Sequence, residues 1–310
     1  MLMDYELNMS YITLDGHVEL SKCRYLYFVI VFIAYILVIC CNSIIICLIV
    51  IHKNLHEPMY IFIAALLVNS VLYSTNIYPK LLIDFLSEKQ IITYSACLLQ
   101  FFLFYGLSSS EFLLLAAMAY DRYVSICKPL QYPTIMKKTR VSTLLVLAWS
   151  VSACHVVVTV ILITETKLCN FTIKAVFCNN AIYGLHCVQS RVIAIYGVVP
   201  LINLVMLPML FIVYTYTKIL IIVYRSCKEV RKKAAETCLP HLLALISYFC
   251  LSVYDISIAR VESSLPKTAR FIMTLQIVLY QPLFNPLIYG LKMKEISRHL
   301  KQSLCPTKII

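Results

Sequence analysis

The chain has 310 residues, 61% of them apolar and only 14% charged, with a mean hydropathy of +0.84. A water-soluble domain carries about 45–50% apolar and about 25% charged residues, so the solvent of this chain is lipid and a soluble enzyme is excluded. The net charge of +12 comes with no basic, aromatic-bearing soluble domain that would hold nucleic acid.

About 20 apolar residues cross a bilayer core. Seven segments qualify, at roughly 25–51, 58–86, 94–124, 141–164, 191–224, 239–261 and 268–290. The first follows a polar stretch and is far longer than a signal-peptide core, so it is read as an uncleaved anchor. Lipid offers no partners for free N–H and C=O groups, so each span should be helical. Pro79, Pro200, Pro208, Pro282 and Pro286 should kink helices rather than end them. The expected fold is an all-α membrane protein: a seven-helix bundle at 25–290, an extracellular tail at 1–24, and a short amphipathic cytoplasmic helix and tail at 291–310. With the N-terminus outside, 17 of the 27 basic residues fall inside, whereas nine of the 15 acids fall outside. That asymmetry follows the positive-inside rule, and the basic face should attract anionic lipid head groups or an acidic partner.

Cys40, Cys41, Cys47, Cys154 and Cys250 lie within spans and read as small apolar packing groups. Cys97, Cys169, Cys178 and Cys187 fall on the outer side, where four cysteines allow two bridges in three pairings. Cys23 is left over. Asn8-Met9-Ser10 and Asn170-Phe171-Thr172 are glycosylation sequons on that same side. Cys305 is a palmitoylation candidate or an ordinary thiol.

Ionisable groups at bilayer depth are expensive and mark function. Three constellations qualify. Asp121-Arg122-Tyr123 ends the third span; a permanently charged guanidinium beside an acid can hold helix ends closed and, once released, meet Tyr216 or a partner. Asn285-Pro286-Leu287-Ile288-Tyr289 lies late in the seventh span, where Pro286 frees a carbonyl, Asn285 can occupy it and Tyr289 can swing about a hinge. Glu111, in mid-span, needs a proton, water or partners; Asn42, Ser70 and Asn285 are candidates for a polar network holding Na⁺ or a proton. There is no second carboxylate for acid–base work and no Gly-rich phosphate loop, His-Glu-x-x-His or Gly-x-Ser-x-Gly. No catalytic residue, cofactor or dedicated metal centre is expected. His52, His56 and His241 stand at loop edges, where interfacial contacts suffice; His155 in the fourth span reads as packing.

Four strings in order carry a resemblance: Leu55-His56-Glu57-Pro58-Met59-Tyr60, Met118-Ala119-Tyr120-Asp121-Arg122-Tyr123, Lys233-Ala234-Ala235-Glu236-Thr237-Cys238-Leu239-Pro240-His241-Leu242, and Pro282-Leu283-Phe284-Asn285-Pro286-Leu287-Ile288-Tyr289. Over about residues 20–300 the chain resembles odorant receptors of the rhodopsin-like G-protein-coupled family. The sixth-span string and Thr215-Tyr216 are most similar to fish-type members, which detect water-borne odorants. Trp149 matches the family's fourth-helix tryptophan, and Glu111 a position typical of odorant receptors. Cys97 with Cys178 matches the usual bridge, and Cys169 with Cys187 the additional one. The departures are Cys41-Asn42 for Gly-Asn, Ser70 beside Asn69 for the frequent Asp, Thr215-Tyr216 for Ser-Tyr, and Phe249 for the usual Tyr. Ser70 weakens the case for a sodium site.

The resemblance implies a plasma-membrane receptor of olfactory sensory cilia. It would bind a small odorant in the outer half and activate a stimulatory, olfactory-type heterotrimeric G protein that raises cyclic AMP. Helical spacing then selects Phe104, Tyr105, Ser108 and Ser109 on the third span, Leu201, Leu204 and Val205 on the fifth, and Phe249, Ser252, Ile256 and Arg260 on the sixth. Ser252, Ile256 and Arg260 recur every four residues and share a face; Arg260 can pin a carboxylate, pointing to anionic odorants. Two alternatives compete. A secondary transporter needs broken half-helices and an internal repeat, and neither is visible. The other is a non-olfactory receptor of the same class for peptides or amines; an amine receptor needs an acid near Tyr105, and there is none.

Overall fold

The computed structural model describes residues 11–17, 24–187, 191–226, 228–261 and 266–304. Seven long helices form a bundle: α1 (Arg24–Ile51), α2 (Pro58–Leu86), α3 (Tyr94–Cys127), α4 (Lys138–Thr164), α5 (Arg191–Tyr224), α6 (Lys228–Val261) and α7 (Lys267–Lys292). A short helix, α8 (Lys294–Leu304), follows. Six of the seven are long and apolar enough to cross a membrane; in α6 the apolar stretch is Cys238–Ser252. The bundle is apolar outside, with Leu26, Ile33, Leu37 and Ile51 of α1 all largely exposed, while Asn42, Asn69, Ser70, Glu111 and Asp121 are buried. Lipid replaces water outside, so helices associate through packing and polar contacts. The cysteines expected to pack within spans mostly lie outward instead: Cys40, Cys47, Cys154 and Cys250 are exposed.

The helix bounds follow the apolar segments except where a helix outruns the hydrocarbon. α6 begins at Lys228, well before residue 239, because the run from 228 to 237 is charged and continues the helix in water. Within α5, residues Leu201–Met206 form a π-turn. Pro208 has no N–H to return to the Leu204 carbonyl, and a π-turn is one way a helix absorbs that loss.

Both expected bridges are present, Cys97–Cys178 and Cys169–Cys187, and they define the disulfide end of the bundle; Arg122 lies at the other. Residues 11–17 are not a free tail. β1 (Tyr11–Leu14) is the central strand of a three-stranded sheet, antiparallel to β2 (Ile91–Thr93) and parallel to β3 (Thr172–Ile173). Gly16 donates to the Ala175 carbonyl at 3.1 Å, and a Cβ there would fall 2.2 Å from the Ala175 backbone, so only glycine fits. Asp15 pairs with Lys267 at 2.7 Å, and His17 is buried against Phe85 and Phe271. Asn8 and Cys23 lie outside the described residues.

Burial, helped by Lys80 and Lys267, lowers the His17 pKa from 6.5 to about 4, against the Leu14 backbone and Asp15, which favour the proton. The free strand therefore binds the proton more readily than the docked one. Docking keeps its full strength above pH 6.5 and weakens as pH falls towards 4, by about 2 kcal/mol at pH 5. Hydrogen exchange at residues 11–17 should accelerate between pH 7 and pH 5, and His17→Phe should remove that dependence.

Candidate functional site

At the Arg122 end, the guanidinium meets Asp121 at 2.5 Å through Nη2 and 3.2 Å through Nε. Tyr132, in the helical turn Tyr132–Ile135 after α3, donates to the other carboxylate oxygen at 2.8 Å. Tyr123 is half-buried under the Lys128 ammonium. Tyr216 makes no hydrogen bond to Arg122. Its hydroxyl donates to Nδ1 of His241, whose Nε2 donates to the Leu115 carbonyl at 3.0 Å. This assignment gives one proton to each bond and fixes the neutral tautomer. The two rings stack at 17°. His241 is thus no loop-edge residue: it is 2% exposed and ties α6 to both α5 and α3. Reading the Pro240-His241 pair as the mouth of a span hid this, because α6 enters three turns earlier. Farther out, Glu236 of α6 pairs with Lys294 of α8 at 2.7 Å; the Lys294 ammonium holds that carboxyl below the ordinary carboxylate range.

The mid-bundle network divides in two. Asn285 Nδ2 donates to Glu111 Oε1 at 2.8 Å and to Ser70 Oγ at 3.2 Å, joining α7, α3 and α2. Asn42 stands apart: its amide donates to Val38 and Pro282 carbonyls at 2.8 and 3.0 Å. Pro286 lacks the N–H that would return to the Pro282 carbonyl. That freed acceptor goes to Asn42 rather than to Asn285, which corrects the expected pairing. One turn up, Pro282 frees the Val278 carbonyl, which accepts from Tyr78 at 3.4 Å. Both proline gaps in α7 are closed by donors from other helices. Tyr289, 1% exposed, donates weakly to Met118 Sδ at 3.9 Å. No cluster of three His, Cys, Asp or Glu fit for a metal occurs among the described residues.

One hub went unread in the sequence. Asn69 donates to the Leu107 carbonyl at 3.0 Å and accepts from Ser110 at 2.8 Å and Trp149 at 3.2 Å. It joins α2, α3 and α4. The visible signal was the fourth-span Trp149, whose indole N–H needs an acceptor when buried.

Towards the disulfide end, Phe104 is buried among Tyr73, Tyr105 and Phe177. The Tyr105 hydroxyl accepts from the Asn180 amide at 3.0 Å and Gln100 Oε1 from the Cys178 amide at 2.9 Å, so with the disulfide the loop is pinned to α3 three times. Ser108 and Ser109 are half-buried. The Ser108 carbonyl accepts from Tyr248 at 2.6 Å, and Ser252 donates to the Tyr248 carbonyl. On α5, Leu204 is buried and Val205 half-buried, but Leu201 is 45% exposed; it opens the π-turn, which shifts the phase of the residues after it. On α6, Phe249 is 44% exposed. The buried stripe is His241, Ala244, Leu245 and Tyr248, and Phe249 lies some 80° off its centre at 100° per residue. Tyr248, not Phe249, therefore faces α3. Ile256 and Arg260 are on α6, but their side chains lie outside those described. Asn170 keeps its sequon exposed in the loop between α4 and α5, its Oδ1 accepting from the amides of Phe171 and Thr172.

The olfactory receptor family model matches residues 31–307. Among curated proteins, human olfactory receptor 11A1 is 33% identical over 294 residues, covering 94% of this chain and 92% of that protein. Human olfactory receptor 11G2 is 36% identical over 284 residues, 89% and 81% of the two chains. Human olfactory receptor 13C2 is 30% identical over 298 residues, 94% and 93%. Seven helices with bridged loops at one end, a buried Asp-Arg pair at the other and matches over nearly the whole length agree: the chain belongs to the olfactory receptor family, multi-pass plasma-membrane receptors that sense odorants and couple to G proteins and are not enzymes.

Proposed function

We propose that small odorants bind between α3, α5, α6 and α7 in the half towards the disulfide end, which faces the exterior, and that binding activates a stimulatory, olfactory-type G protein and raises cyclic AMP. One observation carries this reading. α6 rests on α3 at two levels, through Tyr248 on the Ser108 carbonyl at 2.6 Å and through His241 on the Leu115 carbonyl at 3.0 Å. A ligand against Phe104, Tyr105, Ser108 and Ser109 competes for the upper contact. Displacing it shifts the same rigid helix that holds Tyr216 below, and the ligand moves the equilibrium by its difference in affinity for the two states. Tyr216 then leaves His241 for Arg122, and Tyr289 follows. Glu111 with Ser70 and Asn285 is the polar hinge between the levels, holding a proton or Na⁺.

The ligand class is small anions, carried by Arg260, and water-borne odorants fit the likeness to fish-type members. A cyclic AMP reporter screen with small acids, amino acids, aldehydes and alcohols tests the reading. Acids should be the strongest agonists, and cells lacking the stimulatory α subunit should not respond. Arg260→Ala should weaken acids more than neutral ligands. Equal losses for both reject the anionic class, and uptake without a cyclic AMP response rejects the receptor mechanism.

A further inference from the structure

A cleft of about 480 Å³ opens on the outer surface of the bundle between α3, α4 and α5. Its walls are Leu113 and Ala116 of α3, Leu147 of α4, and Phe211 of α5, with Tyr120 near the base. Leu147 and Phe211 are exposed, at 48% and 39%. On α4, Arg140, Leu144, Leu147 and Val151 repeat every three or four residues and so share one face, which puts Arg140 at the cleft's lower end. No carboxylate lines it. Small-ligand sites occupy about 300–1,000 Å³ and combine apolar walls with a few polar anchors.

The base of the cleft is positive through Arg140. Arg140, Lys137 and Lys138 are all exposed, and none takes part in the ion pairs of the described residues, whereas Lys80, Lys267, Lys294 and Arg298 do. The N-cap of α4, Lys137, makes no side-chain cap. The first amides of a long helix therefore point towards the same place with their positive dipole end. The cleft thus has an apolar slot reaching to mid-bundle depth, Arg140 where that slot meets water, and Lys137 about one turn before it on α4.

We propose that this cleft binds an anionic glycerophospholipid from the leaflet at the Arg122 end, one acyl chain lying along Leu147 and Ala116 and the phosphate held by Arg140. Charge complementarity selects this occupant over a neutral sterol, which would leave the Arg140 guanidinium unpaired at its polar end. The bound chain bridges α3, α4 and α5 on the outer side of Phe211, five residues before Tyr216, and so braces α5 in the position where Tyr216 meets His241.

The test uses the full receptor in phosphatidylcholine discs containing a trace of phosphatidylserine with a photoreactive acyl chain, followed by peptide mapping. Labelling should concentrate in residues 113–120 and 144–151. Arg140→Gln should reduce it about fivefold, the worth of one basic residue at an anionic surface, and Arg140→Lys should preserve it. Ala116→Phe, which adds bulk at a half-buried position lining the slot, should abolish it at wild-type surface level. Equal labelling by a phosphatidylcholine probe, or no loss with Arg140→Gln, would show ordinary surrounding lipid and overturn the proposal; labelling that survives Ala116→Phe would overturn the location.

Discussion

Replacing His241 by Ala should raise ligand-free signalling several-fold. His241 makes two bonds, one accepted from Tyr216 and one donated to the Leu115 carbonyl, and both favour the arrangement seen here. A buried hydrogen bond contributes about 0.5–1.5 kcal/mol net. Losing two removes about 2 kcal/mol of bias, equivalent to about a 30-fold shift between the two states. Tyr216 is then free to turn towards Arg122, which is buried nearby on α3. Tyr216→Phe removes one of the same bonds but also the hydroxyl that would meet Arg122, so its basal output should not rise. The measurement is reporter activity without odorant, normalised to surface protein. A His241→Ala receptor at wild-type surface level with unchanged basal output would mean that the tie does not restrain α6.

Asn69→Ala should be the most damaging single change to the bundle itself. Its side chain makes three interhelical bonds, to the Leu107 carbonyl, Ser110 and Trp149. Such bonds in membrane proteins average about 0.6 kcal/mol and reach about 1.7, so their joint loss should cost about 2–4 kcal/mol once the half-buried indole N–H left without its acceptor is counted; Ser110 keeps its bond to the Leu107 carbonyl. Trp149→Phe removes one of the three and should cost about a third as much. Thermal unfolding of purified receptor in detergent compares them; an Asn69→Ala protein as stable as Trp149→Phe would show that the three bonds do not act as one hub.

The spans were legible because lipid sorts residues more sharply than water does. A run of about 20 apolar residues has no competing explanation, and α1, α2, α5 and α7 begin and end close to where hydropathy changes. Helix rotation was less legible. When all sides of a helix are apolar, periodicity says little about which side is buried, so Tyr248 could not be told from Phe249, nor Leu204 from Leu201. Polar residues in spans were found as candidates, and Ser70 and Asn285 do meet around Glu111; Asn42 was misplaced, because it reaches the proline-freed carbonyl from a helix 240 residues away in sequence. His241 was misplaced because a histidine beside a proline at the edge of an apolar run looks like a boundary. The sheet was invisible because β1 has no partner within reach of local pattern.

That sheet also has a consequence for assembly. Thr13 pairs with Thr172 and Tyr11 with Thr93, so the first strand to leave the ribosome waits for two partners, the later of which follows the fourth membrane crossing. Until β3 emerges, Tyr11–Leu14 keeps one unmated edge even after β2 has paired with it, a natural substrate for chaperones. A reporter peptide fused ahead of residue 11 should be tolerated, while one inserted between Leu14 and Arg24 would interrupt the closing of the cover over the bundle mouth.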